Sequence, residues 1–416
     1  VSHDEVRLDD ADGSYASVTA DGVLATIQPA QYETFQPPAA GQWFTDPAFG
    51  TRIKRLTDEQ NVYGWNGERA MFSPDDQYFV IALNQPNRLV LFDGRTGAFL
   101  RDLSLSLPDY SIVRWWYDEV NDKQMLAYAS GTQLVAFNVD NEAEGSVVLH
   151  DFGEQIGDSN GRLCNGDGND FDDAGDWLLI NAGDKMFPFN LRTLTKGVEK
   201  VMVASDWDYC TMSPSGDYIV GVGQVGSAVT DKGVFIWNRD WSGQRRLSPT
   251  GTHIDLGYLN GKEECLIARI NKTNDGMDWW NTHNVSGESM LAVRLSDGEI
   301  FEMFRSTRWF SPIISAVRGS NSRHTYLAIP EHTLDPAIEW HRYFGELVQV
   351  SLDAESGFAV RRFAHHRCRQ SVNGSHWTDQ PEAWINHTGD RLFFRSNMDN
   401  YIEAGKHDLY MIELED

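Results

Sequence analysis

The chain has 416 residues, 41% hydrophobic and 12% aromatic, with 35 basic against 61 acidic residues and a formal net charge of -26. That balance argues against nucleic acid as a partner, because phosphate binding needs a basic stripe. No run of about 18 apolar residues is present, so no helical membrane span is expected, and the acidic surface suits a secreted or salt-exposed protein.

Residues 1–50 start acidic and become Pro- and Gly-bearing at Pro37-Pro38-Ala39-Ala40-Gly41. They read as an extension that packs on a body formed by residues 51–416. The chain begins at Val1 with no apolar leader, which fits removal of a signal peptide and a secreted or periplasmic location. Thr51-Arg52-Ile53-Lys54-Arg55-Leu56-Thr57 then alternates polar and apolar residues, the period of a strand.

From there a corner recurs seven times. Its sharpest copies are Phe72-Ser73-Pro74-Asp75-Asp76-Gln77-Tyr78-Phe79 and Met212-Ser213-Pro214-Ser215-Gly216-Asp217-Tyr218-Ile219. Looser copies begin at Tyr117, Asp172, Gly257, Arg318 and Ile385. Each is a polar turn followed by an apolar run such as Val80-Ile81-Ala82-Leu83 or Leu392-Phe393-Phe394. Hairpins complete the unit: Arg88-Leu89-Val90-Leu91-Phe92 leads through Asp93-Gly94-Arg95-Thr96-Gly97 into Ala98-Phe99-Leu100. A period of about 40 to 70 residues with several short strands each is that of an all-β, seven-bladed β-propeller. The strand at 51–57 then completes the last blade and closes the ring. Long insertions interrupt the later blades near 267–288, 327–345 and 365–380, and insertions on a rigid scaffold are where function concentrates. Among the four cysteines, Cys164 and Cys210 sit near equivalent corners, where either a disulfide or free buried thiols would fit. The sequons at Asn271, Asn284, Asn373 and Asn386 are near chance frequency.

The Ser-Pro corners, each followed by an apolar strand, resemble the TolB-type propellers. The last blade is similar to that of oligogalacturonate-lyase-like propellers. It carries His365-His366-Arg367, then His376 to Gln380-Pro381-Glu382, then Asn386-His387-Thr388-Gly389-Asp390-Arg391-Leu392-Phe393-Phe394-Arg395-Ser396-Asn397. In that family a Gln and two histidines here, with a His from an earlier blade, bind a divalent metal. Gln380 matches the Gln, but Ala383 and Ile385 stand at the two histidine positions. The resemblance implies a lyase that cleaves a uronic-acid polysaccharide by β-elimination, with its metal site in doubt.

Aligned on the corner, inner strands bring equivalent positions to one rim of the channel. Those positions carry Arg69, Arg114, Tyr209 and Glu382, with Glu68, Asp167, Asp208 and His253 one residue earlier. β-Elimination needs a cation on the substrate carboxylate, which suits Arg69 or Arg114. It needs a base of near-neutral pKa, which suits His253 or Tyr209, and an acid for the leaving oxygen. Asp255, two residues on, shares a strand face with His253 and could orient it. Gln380, Glu382, Trp279, Trp280 and Trp377 are the expected substrate contacts, because flat rings match the C–H faces of sugars. No cofactor motif is complete. Calcium at Asn165–Asp176 departs from a calcium loop at Asp170 and Asp176, and another divalent metal at His365, His366 and His376 stays open. A non-catalytic propeller that binds a glycan or a protein, or serves as a structural surface component, is the alternative.

Overall fold

The computed structural model describes residues 34–58, 62, 71–84, 87–105, 113–156, 171–182, 184–202, 207–223, 233–249, 254–269, 288–306, 313–317, 324–328, 343–368, 380–398 and 406–414. Its strands form seven antiparallel sheets that follow one another along the chain, one per blade. The innermost described strands are Arg114–Asp118 in blade 2, Trp207–Met212 in blade 4, Asp255–Leu259 in blade 5, Ile313–Ala316 in blade 6 and Glu382–Ile385 in blade 7. Isolated bridges Phe72↔Phe79 and Val62↔Leu83 mark the inner edge of blade 1. Blade 3 is built on Trp177–Ala182 and Lys185–Asn190.

Ring closure follows the expectation. Arg52–Arg55 pairs with the final strand Asp408–Glu413, and Trp43–Thr45 adds a fifth strand outside it. The first and last parts of the chain thus share blade 7, so opening the ring means breaking a sheet. The only helical pieces among the described residues are the short turns Glu142–Glu144 and Gly153–Ile156, and no helix there is long and apolar enough to cross a membrane.

Strand alternation sends one face of each blade against its neighbour, so the core is a series of layers between blades. Phe79, Val80 and Ile81 of blade 1 belong to one buried cluster with Trp115 and Phe137 of blade 2 and with Trp384, Phe393 and Met411 of blade 7. Phe79 and Phe393 lie with ring centroids 4.5 Å apart across the closing seam. Leu347 and Phe363 of blade 6 pack with Ala383, Phe394 and Tyr410 of blade 7. Each fully buried large side chain contributes about 1.5–3 kcal/mol of burial.

In blades 1, 3, 4 and 7 the recurring corner has one geometry. The first residue's side chain accepts the N–H five residues ahead: Ser73 from Tyr78 at 2.9 Å, Asp172 from Trp177 at 2.9 Å, Ser213 from Tyr218 at 3.2 Å and Asn386 from Arg391 at 2.9 Å. The fourth residue has positive φ, and it is Gly175, Gly216 and Gly389 in three blades but Asp76 in blade 1. A Cβ on Gly216 would stand 2.7 Å from the Asp172 carboxylate of blade 3, so only glycine fits that corner against its neighbour.

These corners also join the blades. Tyr78 donates to Asp140 (2.9 Å), Arg192 pairs with Glu119 (2.9 Å), and Asp173 N–H donates to Pro214 O (2.8 Å). Ser215 Oγ donates to Glu264 (2.7 Å), Ala354 N–H to Asn260 (2.8 Å) and Ile385 N–H to Ser315 (3.2 Å). Asp76 closes the circle by accepting from His387 N–H and Thr388 N–H, both at 2.8 Å, and pairing with His387 Nδ1 at 2.9 Å.

Candidate functional site

Inner strands in a ring of blades all enter from one end, so the residues that begin them share a rim. Here the long connections leave from that entry end: 270–287 joins the second and third strands of blade 5, 329–345 those of blade 6, and 366–381 leads from blade 6 into blade 7. The opposite end carries the short corners.

Buried arginines gather at the entry end. Arg114 opens the inner strand of blade 2, Arg269 ends the second strand of blade 5, and Arg395 lies one residue from the end of its strand in blade 7. Arg55 ends the closing strand, Arg362 lies in the outer strand of blade 6, and Arg367 follows that strand. All six are buried. A buried guanidinium costs several kcal/mol unless it is paired, and for Arg55, Arg362 and Arg395 a carboxylate is in place. Arg362 reaches both oxygens of Glu346, Nε to Oε2 at 2.6 Å. Arg55 Nη2 pairs with Asp408 at 2.6 Å, while its Nε donates to Thr57 O at 2.9 Å. Arg395 Nη2 pairs with Glu382 Oε1 at 3.0 Å. The Arg367 guanidinium lies 4.2 Å from the ring centroid of Phe35. Burial raises the Glu346 carboxyl above its ordinary pKa, against the pull of Arg362.

Sequence reasoning missed this paired network. Its signal was charge within apolar runs, as in Glu346-Leu347-Val348 and Arg361-Arg362-Phe363-Ala364-His365. The turn after Trp43–Thr45 joins it. Asp46 Oδ2 accepts His365 N–H at 2.9 Å and lies 3.5 Å from His365 Nδ1. Burial pushes the Asp46 carboxyl up, but hydrogen bonding and attraction from His365 and the backbone N–H groups outweigh it and hold it below its ordinary range.

The sequence-predicted residues divide. Arg114 and Glu382 each open an inner strand, and Tyr209 lies in the inner strand of blade 4, as the corner alignment expected. Arg114 Nη1 donates to Val113 O at 2.8 Å. Tyr209 is buried in the layer between blades 4 and 5, with Val222, Leu256 and Leu266. Glu382 is committed to Arg395, and Gln380 is buried two residues ahead of it. Arg69, His253, Trp279, Trp280, Trp377 and His376 lie outside the described residues. Asp255, expected to orient His253, accepts Ala316 N–H of blade 6 at 2.6 Å.

The metal readings fare less well. Ala383 and Ile385, at the family's histidine positions, pack in the apolar layer between blades 6 and 7. No carbon side chain there can ligate a cation, so the residues present do not fit that metal. His366 Nδ1 accepts Cys368 N–H at 3.0 Å, which occupies one ligating nitrogen. Among the described residues no three His, Cys, Asp or Glu side chains form a metal cluster. In the calcium-like segment, 165–170 lies outside the described residues, and Asp172 Oδ1 accepts the N–H groups of Asp176 and Trp177 as the corner of blade 3. Cys210, Cys265 and Cys368 are free and buried, so the Cys164–Cys210 bridge is not made. Burial pushes the Cys210 thiol up to about 12, an inert state. Asn386 is buried in its corner, its amide donating to Asp390 at 2.7 Å, which removes that sequon as a glycan acceptor.

No protein-family model and no curated protein sequence matches the chain. Solved structures do. An oligogalacturonate lyase from Vibrio parahaemolyticus is 10% identical, with 90% of this chain and 96% of that chain covered and a TM-score of 0.59. An oligogalacturonate lyase in complex with manganese is 11% identical, with 91% and 99% covered and a TM-score of 0.59. The WD40 repeats of RRP9 are 13% identical, with 90% and 100% covered and a TM-score of 0.51. At these identities the likeness is one of fold, the seven-bladed propeller.

Proposed function

We propose that this chain is a secreted or periplasmic polysaccharide lyase that works at the entry end of the ring and cleaves a uronic-acid polymer by β-elimination. The observation that carries the reading is the gathering of buried arginines at that end of a chain whose net charge is -26. Arg55, Arg362 and Arg395 are each matched by a carboxylate, so the cations assigned to meet a polyanion there are Arg69 and Arg114. The oligogalacturonate lyases of similar fold support it.

In this scheme Arg69 and Arg114 clamp the uronate carboxylate and disperse the charge that develops as the neighbouring C–H bond breaks. His253 takes the proton. The released electron pair forms the ring double bond, the glycosidic C–O bond breaks, and the leaving oxygen is protonated by an acid, the role given to Tyr209. Trp279, Trp280 and Trp377 stack on the sugar rings. Charge neutralisation is assigned to guanidinium because Ala383 and Ile385 cannot ligate a metal.

The test is turnover. The purified chain is incubated with a panel of uronic-acid polysaccharides, with and without divalent metal, and ultraviolet absorbance of the unsaturated product is followed. Arg114→Ala and His253→Ala are each expected to lower kcat/KM by on the order of 10²–10³. A flat trace at several salt concentrations sinks the lyase reading. It leaves the second one, a glycan- or protein-binding propeller. The burial of Tyr209 in an apolar layer and the commitment of Glu382 to Arg395 favour that alternative.

A further inference from the structure

Blade 7 carries buried donors with no partner among the described residues, two of them at its entry end. Gln380 Nε2 and Arg395 Nε each lack a hydrogen-bond partner among the described residues, and each side chain is more than nine-tenths buried (relative exposure 5% and 6%). An orphaned buried donor costs about 1–3 kcal/mol, so two in one place call for an acceptor.

The two share a face. Glu382 pairs in register with Arg395, so their side chains stand on the same side of the sheet. Gln380 precedes Pro381, which keeps it extended, and two residues ahead of Glu382 it returns to that side. Trp384 and Phe393 continue the same face and pack with Phe79 of blade 1. The donors therefore lie at the entry end of the seam between blades 7 and 1.

The charge there selects the ligand. Arg395 is neutralised by Glu382 through its Nη2, and that carboxylate would repel a second anion beside it. What fits is a neutral group that both accepts and donates. A sugar hydroxyl accepts from Arg395 Nε–H, a vicinal one accepts from Gln380, and either donates to the Glu382 carboxylate, whose two oxygens offer several acceptor positions. We infer that Gln380, Glu382 and Arg395 form a subsite for the vicinal hydroxyls of a neutral sugar residue at the seam of blades 7 and 1. It rests on the reading of the entry end as a carbohydrate site and adds that the polymer carries neutral units beside its uronates.

Gln380→Leu tests this, because leucine keeps the volume and deletes the donor. Binding of neutral gluco-, galacto-, manno- and xylo-oligosaccharides is measured by calorimetry alongside thermal melting. The expected result is that the wild-type chain binds at least one of them. Gln380→Leu should weaken that binding about 10-fold and melt about 1–3 °C higher, as removal of an orphaned donor requires. Gln380→Glu, which sets a second carboxylate beside Glu382, is expected to lose binding as well. The inference is overturned if no neutral oligosaccharide binds, if Gln380→Leu binds as the wild type does, or if it melts lower. Since the readout is binding, it separates from the lyase assay. Uronate cleavage with an unaffected Gln380→Leu removes only the subsite, and neutral-sugar binding lost in Gln380→Leu without any cleavage removes only the lyase.

Discussion

The two ends of the ring differ in chemistry: the corner end joins neighbouring blades through hydrogen bonds, while the entry end buries ion pairs between strands of the same blade. At the corner end, backbone groups and single side-chain acceptors link the blades, and the arginines there range from exposed, as Arg192 is (54%), to half-buried, as Arg294 is (20%). At the entry end the chain buries guanidinium–carboxylate pairs, Arg362–Glu346, Arg395–Glu382 and Arg55–Asp408. Hydrogen bonds at turns are cheap to form, and those to Asp76 reinforce the closing seam. Buried ion pairs gain little over apolar residues of the same volume. An acidic chain that nevertheless buries them at one end is arranging charge there, and that asymmetry is what the proposed function builds on.

The largest test of the contrast is Arg362→Met. It leaves Glu346 fully buried with its partner gone, and the expected loss is about 3–5 kcal/mol in denaturant unfolding. Arg362→Met with Glu346→Leu should recover most of it, because the pair as a unit contributes little. If the double variant is as unstable as the single one, the pair is a net stabiliser and the two ends are alike.

Next comes Asp76, the corner residue that latches blade 1 to blade 7. Asp76→Ala removes the acceptors of His387 and Thr388 and is expected to cost about 2–3 kcal/mol. Burial raises the Asp76 carboxyl, but the hydrogen bond and attraction of His387 and the backbone donors outweigh it and depress its pKa. A depressed carboxylate contributes stability above its unfolded pKa of about 3.9, and the contribution is lost as pH falls through the lower folded value. Wild-type stability should therefore drop below about pH 4, and Asp76→Ala should flatten that drop.

How much of this was legible follows from what each device needs. The corners could be read because a turn is local: Ser-Pro-Ser-Gly at 213–216 fixes its own hydrogen bonds. Seven corners gave seven blades, and the alternation of 51–57 gave the closing strand. The equivalence of Arg114, Tyr209 and Glu382 was also readable, since it is a matter of register. Their surroundings were not. Whether Tyr209 faces a cleft or an apolar layer depends on Leu256 and Leu266 of the next blade, and the partner of Arg55 is Asp408, at the far end of the chain. Asp76 was a missed clue. It occupies a position where blades 3, 4 and 7 carry glycine at positive φ, and an aspartate held there needs a tertiary reason, which His387 supplies.

A smaller effect separates two corners of the same design. Burial, then the nearby charges of Asp176 and Asp173, push the Asp172 carboxyl up to about 6 despite two N–H donors. The folded state then binds an extra proton between about pH 4 and 6, so stability falls as pH rises through that window. The loss is on the order of 1–2 kcal/mol once solvent screening is allowed for. Asp172→Asn keeps the acceptor and removes the charge, and should stabilise the chain at neutral pH. The slope is opposite to that of Asp76, and a titration of stability against pH resolves the two.

Smallest is the corner acceptor itself. Ser213→Ala deletes the bond from Tyr218 N–H and is expected to cost about 1 kcal/mol. Ser213→Asn should cost less, because Asn386 already performs that task in blade 7 at 2.9 Å. Were Ser213→Ala to cost as much as breaking Arg362–Glu346, the corners would be as specialised as the buried pairs. A loss near 1 kcal/mol, recovered by asparagine, instead identifies the corner end as an interchangeable frame. Any residue with a short-range acceptor serves there, whereas at the entry end Arg362, Arg395 and Arg55 must each meet a particular carboxylate.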